Sequence, residues 1–284
     1  PVPDDVWSRE LHLLEARDPG HVSLFSPRIA DMGQVAAVRE ALHKVAEGEA
    51  RNFLNYPTRD AYLPVRQAAA AWVGQSPVGM VTENDIVLTH GGQNGLMVVL
   101  QAILEGPQPV IMVEDLTYAG FRRAAELLRA QVVEVAMDEH GIRPDSMELA
   151  IRKTGATVLC TSPEVHNPTG LHTPLGRRKE IVRIARRHGV QIVEDDCYRL
   201  GESRAPSYRS LAPELAWHVS SISKILTPAL RVGFALAPLM FGVLMDQGWY
   251  GATLSGAAFT LALAVGAALM VGRLSRLPAP QPVR

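Results

Sequence analysis

The chain is poor in several things, and each shortage narrows what it can do. It has two cysteines in 284 residues, Cys160 and Cys197, so no disulfide framework is expected and a reducing, cytoplasmic setting is. It has almost no charge imbalance, with 28 Lys plus Arg against 29 Asp plus Glu. Without a basic field or a long charge run, no nucleic acid is expected, and a small molecule is the expected partner. No secretory signal is expected, because residues 1–17 carry acids and bases throughout. No internal repeat and no Ser/Gly linker divides the chain, and no metal site is expected. What is present is 47% apolar residues, enough at this length for a substantial core in one large domain or two modest ones.

Short apolar runs at 86–88, 110–113, 132–135, 157–160 and 190–193 have the length of buried strands and are expected to be parallel ones. Between them, 93–104, 118–129, 146–153 and 175–188 carry apolar residues at spacings of three and four, which predicts helices. The alternation predicts an α/β fold, a mainly parallel sheet wrapped by helices. Open sheets of this kind bind ligands where strands end and helices begin. Gly91, Gly92 and Gln93 lie at such a point, just after a strand-like run, where backbone amides at a helix start can accept a phosphate. A pair of glycines taken alone is usually just a tight turn. Both cysteines lie in or just after strand-like runs, and Cys197 is expected to pack rather than to act as a nucleophile.

The segment SSISKILTPALRVGF, at 220–234, sets Lys224 just after Ser221 and Ser223 and seven residues before Arg231. A primary amine beside hydroxyls and a guanidinium suits a ligand that holds both an aldehyde and a phosphate. Lys224 would form a Schiff base with the aldehyde, and its neighbours would clamp the phosphate. Apolar residues on both sides of Lys224 and Arg231 argue against a solvated face. Upstream lie EDDCY at 194–198 and HNPTG at 166–170. The second of these could, taken alone, be only a turn.

Read in chain order, NYPTRDAYLPVR, THGGQN, EDLTYAG, HNPTG, EDDCY and SSISKILTPALRVGF closely resemble the motifs of the fold type I pyridoxal-phosphate enzymes. The resemblance, over about 55–237, is to the class I/II aminotransferases and to the aminotransferase-like domains of MocR-type regulators. It implies a PLP-dependent transferase fold, pyridoxal 5′-phosphate as cofactor, and transfer of an amino group from an amino acid to a 2-oxo acid. It also implies Lys224 as the Schiff-base lysine and proton carrier, with Asp195 paired to the pyridine nitrogen. Tyr198 and Asn167 would hydrogen-bond the phenolic oxygen, and Tyr118 would stack on the ring. Phosphate binding would fall to Gly92, Gln93, Ser221, Ser223 and Arg231. Tyr56 resembles the tyrosine that reaches the phosphate of the neighbouring subunit, which implies a homodimer. Asp196 is expected to cap or salt-bridge, and His166 to be structural.

The chain also departs from the family. Ala61 stands where a glycine is usual, and Ser26 and Pro27 replace the usual glycines of the strand HVSLFSPRIAD. The family continues into a small domain whose arginine grips the substrate carboxylate, and here that domain is expected to be truncated. Residues 249–272 carry no charge, which is long enough to cross about 30 Å of hydrocarbon. With Arg273, Arg276 and Arg284 after it, this stretch weakly resembles the last span of a major-facilitator transporter. The expected organisation is an N-terminal arm with part of a small domain at 1–54, a cofactor-binding domain at 55–237, and an apolar tail at 238–284. That tail is either a membrane span or a replaced small domain. Alternative functions on the same scaffold are the effector-binding domain of a MocR-type transcription regulator, a lyase or decarboxylase, and a cofactor-binding chain that turns over poorly.

Overall fold

The computed structural model describes residues 31–48, 56, 58, 60–73, 78–199 and 201–238. Ser26, Pro27 and the uncharged run at 249–272, with the expectations placed on them, lie outside the described residues. Among the described residues, no helix is long and apolar enough to cross a membrane.

Among the described residues, nine strands alternate with helices. In chain order the elements are α1 (Gln34–Ala46), α2 (Leu63–Val73), β1 (Ile86–Thr89), α3 (Gly92–Ile103), β2 (Val110–Glu114), α4 (Ala119–Leu127) and β3 (Gln131–Val135). After a short hairpin, β4 (Met137–Asp138) and β5 (Gly141–Ile142), come α5 (Pro144–Thr154), β6 (Val158–Thr161), α6 (Leu175–His188) and β7 (Gln191–Asp195). The described part closes with the one-turn α7 (Tyr208–Leu211), β8 (Ala216–Ser221) and β9 (Gly233–Leu236). The main sheet has the order β1-β9-β8-β7-β6-β2-β3. Neighbours from β8 through to β3 pair parallel, and β9 pairs antiparallel with both β8 and β1.

The strand runs are apolar on both sides because both faces of the sheet are covered. Side chains alternate between the faces with period two. Ile111, Val113, Val158, Cys160 and Val193 meet Leu96, Val99 and Leu100 of α3 and Phe121 and Ala124 of α4. Met112, Leu159 and Ile192 point the other way, onto Met147 and Ile151 of α5 and Ile181 and Ala185 of α6. Fully burying a side chain such as Phe121 or Ile192 stabilises by about 1.5–3 kcal/mol, so the two layers carry most of the fold's cohesion. The helices stop where their sequences say so. Both α5 and α6 end on a left-handed glycine, Gly155 at φ 68 and Gly189 at φ 67, a conformation that needs no Cβ.

Two strand expectations change. The run at 86–88 forms a strand but not one with a parallel neighbour, because its partner among the described strands is the antiparallel β9. Strands β8 and β9 themselves fall where no apolar run was apparent. The sequence AWHVSS of β8 mixes His and Ser with apolar residues, yet all six positions are buried.

Candidate active site

The topology carries the chemistry-bearing motifs to one edge of the sheet. Strands β1, β2, β6, β7 and β8 all run towards that edge, where Thr89, Glu114, Thr161, Asp195 and Ser221 end them. The antiparallel β9 begins at the same edge, just after Arg231, with Gly233 in register with both Ser221 and Thr89. Backbone packing there is very close: a Cβ on Gly233 would lie 2.6 Å from the carbonyl carbon of Gly91.

That contact sets the turn before α3 against Arg231. Gly91 caps the helix with φ 84 and no side-chain hydrogen bond, so the first amides of the helix lack an internal acceptor. A Cβ on Gly91 would meet the Arg231 guanidinium at 2.9 Å, and one on Gly92 would collide with the Cys197 sulfur, with the Ser221 hydroxyl 3.9 Å away. Arg231 itself holds a left-handed backbone at φ 49, a strained state that costs a non-glycine residue about 1–3 kcal/mol and persists where the surroundings impose it. The Ser223 hydroxyl is buried and has no hydrogen-bond partner among the described residues. Helix amides, the Ser221 hydroxyl and the Arg231 guanidinium thus gather around glycines whose missing side chains leave room for an anion.

The residues expected around the cofactor ring lie at the same end of the sheet, where Asp195 and Ser221 end their strands. Lys224 Nζ stands 5.1 Å from the centre of the Tyr198 ring. Asp195 ends β7, and its Oδ1 accepts the Cys197 backbone N–H at 2.9 Å. Burial pushes the Asp195 carboxyl up, while the Cys197 hydrogen bonds and His218 pull it down. Burial also pushes the Cys197 thiol well up, helped by Asp195, which leaves it a protonated packing group as its sequence context suggests. Tyr118 donates its hydroxyl to Gln93 Oε1 at 3.0 Å, and Gln93 Nε2 donates to the Gly120 carbonyl at 3.1 Å. The Gln93 side chain is therefore committed to holding Tyr118, and only its backbone amide remains for an anion. Burial pushes the Tyr118 hydroxyl's pKa up, and Asp195 adds to that while Arg231 opposes it, so Tyr118 lies near both.

Asn167 is half-buried in the turn that follows β6, at the same edge of the sheet, and its bond to Pro168 is cis. The turn is closed by Gly170 N–H donating to the His166 carbonyl at 2.7 Å and by His166 Nδ1 at 2.7 Å from Thr169 Oγ1. His166 lies 4.0 Å from Glu114, yet burial pushes Glu114 up to about 7 and His166 down, so both tend to their neutral forms. Tyr56 lies at the surface, 88% exposed.

A buried charge network, missed in the sequence, supports the site from the other face of the sheet. Arg178 is fully buried, 2.7 Å from Glu164 and 3.8 Å from Glu194. Glu194 also accepts the Tyr208 N–H at 2.8 Å. Asp196, expected to salt-bridge, does so with Arg199 at 2.6 Å. His218 sits between Glu194 and Asp196 at 3.4 and 3.5 Å. The available signal was a glutamate ahead of the aspartate pair, and it did not stand out as a residue of the cofactor site.

The residues fit pyridoxal 5′-phosphate. An amine lies over an aromatic ring, a half-buried carboxylate ends the neighbouring strand, and glycines leave room for an anion beside the Arg231 guanidinium and the Ser221 hydroxyl.

The sequence profile described as aminotransferase class I and II matches residues 28–257. The 2-aminoadipate transaminase of Thermus thermophilus is 32% identical over 205 residues, covering 70% of this chain and 50% of that protein. The HTH-type transcriptional regulator YjiR of Escherichia coli is 27% identical over 82% of this chain and 51% of its own length. Among solved structures, LysN, an α-aminoadipate aminotransferase of Thermus thermophilus complexed with N-(5′-phosphopyridoxyl)-L-leucine, superposes with a TM-score of 0.69 at 30% identity. That match covers 85% of this chain and 62% of LysN. An archaeal alanine:glyoxylate aminotransferase shares the fold, with a TM-score of 0.76 at 23% identity over 96% of this chain and 69% of its own. The chain spans about half the length of the curated relatives it matches. The sheet, the motifs gathered at its edge and the profile match together make this chain a member of the class I and II aminotransferase family.

Proposed function

We propose that the protein is a pyridoxal-phosphate-dependent aminotransferase that moves an amino group from an amino acid to a 2-oxo acid. The observation that carries this reading is Lys224 Nζ over the Tyr198 ring beside Asp195, at the sheet edge that also holds the anion cradle. When bound, the cofactor supplies an aldehyde that condenses with amines and a cationic ring that draws electrons from the carbon next to the nitrogen.

The chain's own residues do the rest. The N–H groups of Gly92 and Gln93, the hydroxyls of Ser221 and Ser223, and Arg231 hold the phosphate. Asp195 keeps a proton on the ring nitrogen, and Tyr198 and Asn167 hydrogen-bond the phenolic oxygen. Tyr118, fixed by Gln93, covers one ring face. Lys224 would hold the aldehyde carbon, and its amine would be the base that takes the proton from the substrate Cα and returns it. Tyr56 reaches a neighbouring subunit's phosphate, which requires a homodimer, and its 88% exposure in the single chain supports that. Residues 55–237 form the cofactor-binding unit, in a cytoplasmic enzyme.

A second reading is an effector-binding domain that holds the same cofactor without turnover, and it is favoured by the match to the transcriptional regulator YjiR. One experiment separates the two. After loading with pyridoxal phosphate, 2-aminoadipate is added without an acceptor. The aminotransferase reading expects the visible band to bleach and about one equivalent of 2-oxo acid to form per site. Binding without bleaching supports the sensor and overturns the enzyme.

A further inference from the structure

We propose that His218 is a positioning residue for Asp195: it staples Glu194 and Asp196, the residues on either side, against one buried ring and so holds the Asp195 carboxylate towards the pocket. The inference rests on the proposed cofactor role of Asp195.

Strand register sets the three acids on different faces. Strands β7 and β8 pair Glu194 with His218 and Asp195 with Val219. Alternation then sends Asp195 to the face covered by α3, where Val193 and Val219 pack, and Glu194 with His218 to the opposite face. Asp196 follows the strand end, its N–H donating to the Val219 carbonyl at 2.8 Å, and its carboxylate returns to the side of Glu194. The imidazole lies between the two carboxylates, with Nδ1 3.4 Å from Glu194 Oε2 and Nε2 3.5 Å from Asp196 Oδ2.

Each carboxylate is anchored elsewhere. Glu194 is held by the Tyr208 N–H and Arg178, and Asp196 by Arg199. His218 is only 1% exposed, and neither ring nitrogen makes a well-formed hydrogen bond among the described residues. A polar ring in such a place costs more than an apolar one of the same size unless its charge contacts are used. The geometry gives it a use, because the residue between its two partners is the one whose direction matters. Asp195 is itself held by its neighbour in the chain, through the Cys197 N–H at 2.9 Å. Its aim into the pocket therefore depends on the backbone on either side, and the staple fixes that backbone.

The test uses His218→Leu, which removes both polar contacts, and His218→Gln, which keeps one donor. Trp217→Phe serves as a control for packing loss in the same strand. Hydrogen exchange of the Cys197 amide in the cofactor-free protein reports how firmly Asp195 is held. The expected result is exchange faster by on the order of tenfold in His218→Leu, partial recovery in His218→Gln, and no change in Trp217→Phe. Pyridoxal phosphate affinity should follow the same order, and the pH midpoint of the bound cofactor's band should move only in the His218 variants. Unchanged Cys197 exchange, or an equal change in Trp217→Phe, overturns the proposal. If His218→Leu does not fold, His218→Gln and Asp196→Asn decide: faster exchange in both supports the staple, and unchanged exchange in either overturns it. Failure of the unmodified protein to bind pyridoxal phosphate would remove the proposed function, while the exchange result still stands or falls on its own.

Discussion

Replacing Gly92 by Ala tests the cradle through one contact. A Cβ there would fall on the Cys197 sulfur, well inside the 3.0 Å that real Cβ contacts keep, but would lie 3.6 Å from the Cys197 Cβ, an ordinary separation. The clash therefore belongs to the sulfur alone. Forcing a packed sulfur aside costs about 1–3 kcal/mol, and the thiol has little freedom, since it also meets Ser221 and Asp195. Gly92→Ala should lose that much stability in urea unfolding, with weaker pyridoxal phosphate binding by roughly one order of magnitude per 1.4 kcal/mol transmitted to the site. In a Cys197→Ala background the added methyl meets no sulfur and should cost close to nothing. The coupling in this double-mutant cycle is the magnitude of the clash, free of whatever Cys197→Ala costs by itself. An equal cost in both backgrounds would refute the packing described for the cradle.

Gly233→Ala should be harsher, because its Cβ would meet the Gly91 backbone, which cannot rotate away as a side chain can. A loss of about 3 kcal/mol or more is expected, read as a lowered unfolding midpoint; a midpoint within error of the parent contradicts the β9–β1 contact. Glu114 gives a pH signature. Its carboxyl is pushed from 4.5 up to about 7 by burial, so between those values the folded protein keeps a proton that the unfolded chain has released. Stability should fall as pH rises through that window and level off above it, by an amount on the order of 3 kcal/mol. His166, pushed down by burial, works in the opposite sense, so the comparison is with Glu114→Gln, which should lose only the Glu114 slope. Parallel pH profiles for the two proteins would show that Glu114 is not buried as described.

Much of the fold was legible where one physical signal dominated. Helix α6 begins and ends as its spacing indicates, because Pro174 precedes it and Gly189 takes the left-handed turn that closes it. The runs at β2, β6 and β7 were clear because both faces of each strand are covered by helices. Strand β8 was not, since His218, Ser220 and Ser221 interrupt its pattern for reasons that exist only in the folded sheet. His218 meets carboxylates on a neighbouring strand, and Ser221 lines the cradle. The antiparallel pairing of β9 with β1 follows from Gly233 closing on Gly91, a contact between residues far apart in the chain. For the site, the motifs supplied the residues in the pocket. Beyond a salt bridge expected of Asp196, they gave no hint of the network of Arg178, Glu164 and Glu194 behind it, because buried ion pairs leave no spacing pattern in a sequence.

The most direct test of the cofactor assignment is borohydride reduction of the protein after incubation with pyridoxal phosphate, with the modified peptides then mapped by mass spectrometry. The expected result is one pyridoxyl-modified peptide carrying Lys224, which disappears in Lys224→Ala while the variant remains folded. Modification spread over surface lysines, or a labelled peptide that persists in Lys224→Ala, would contradict it.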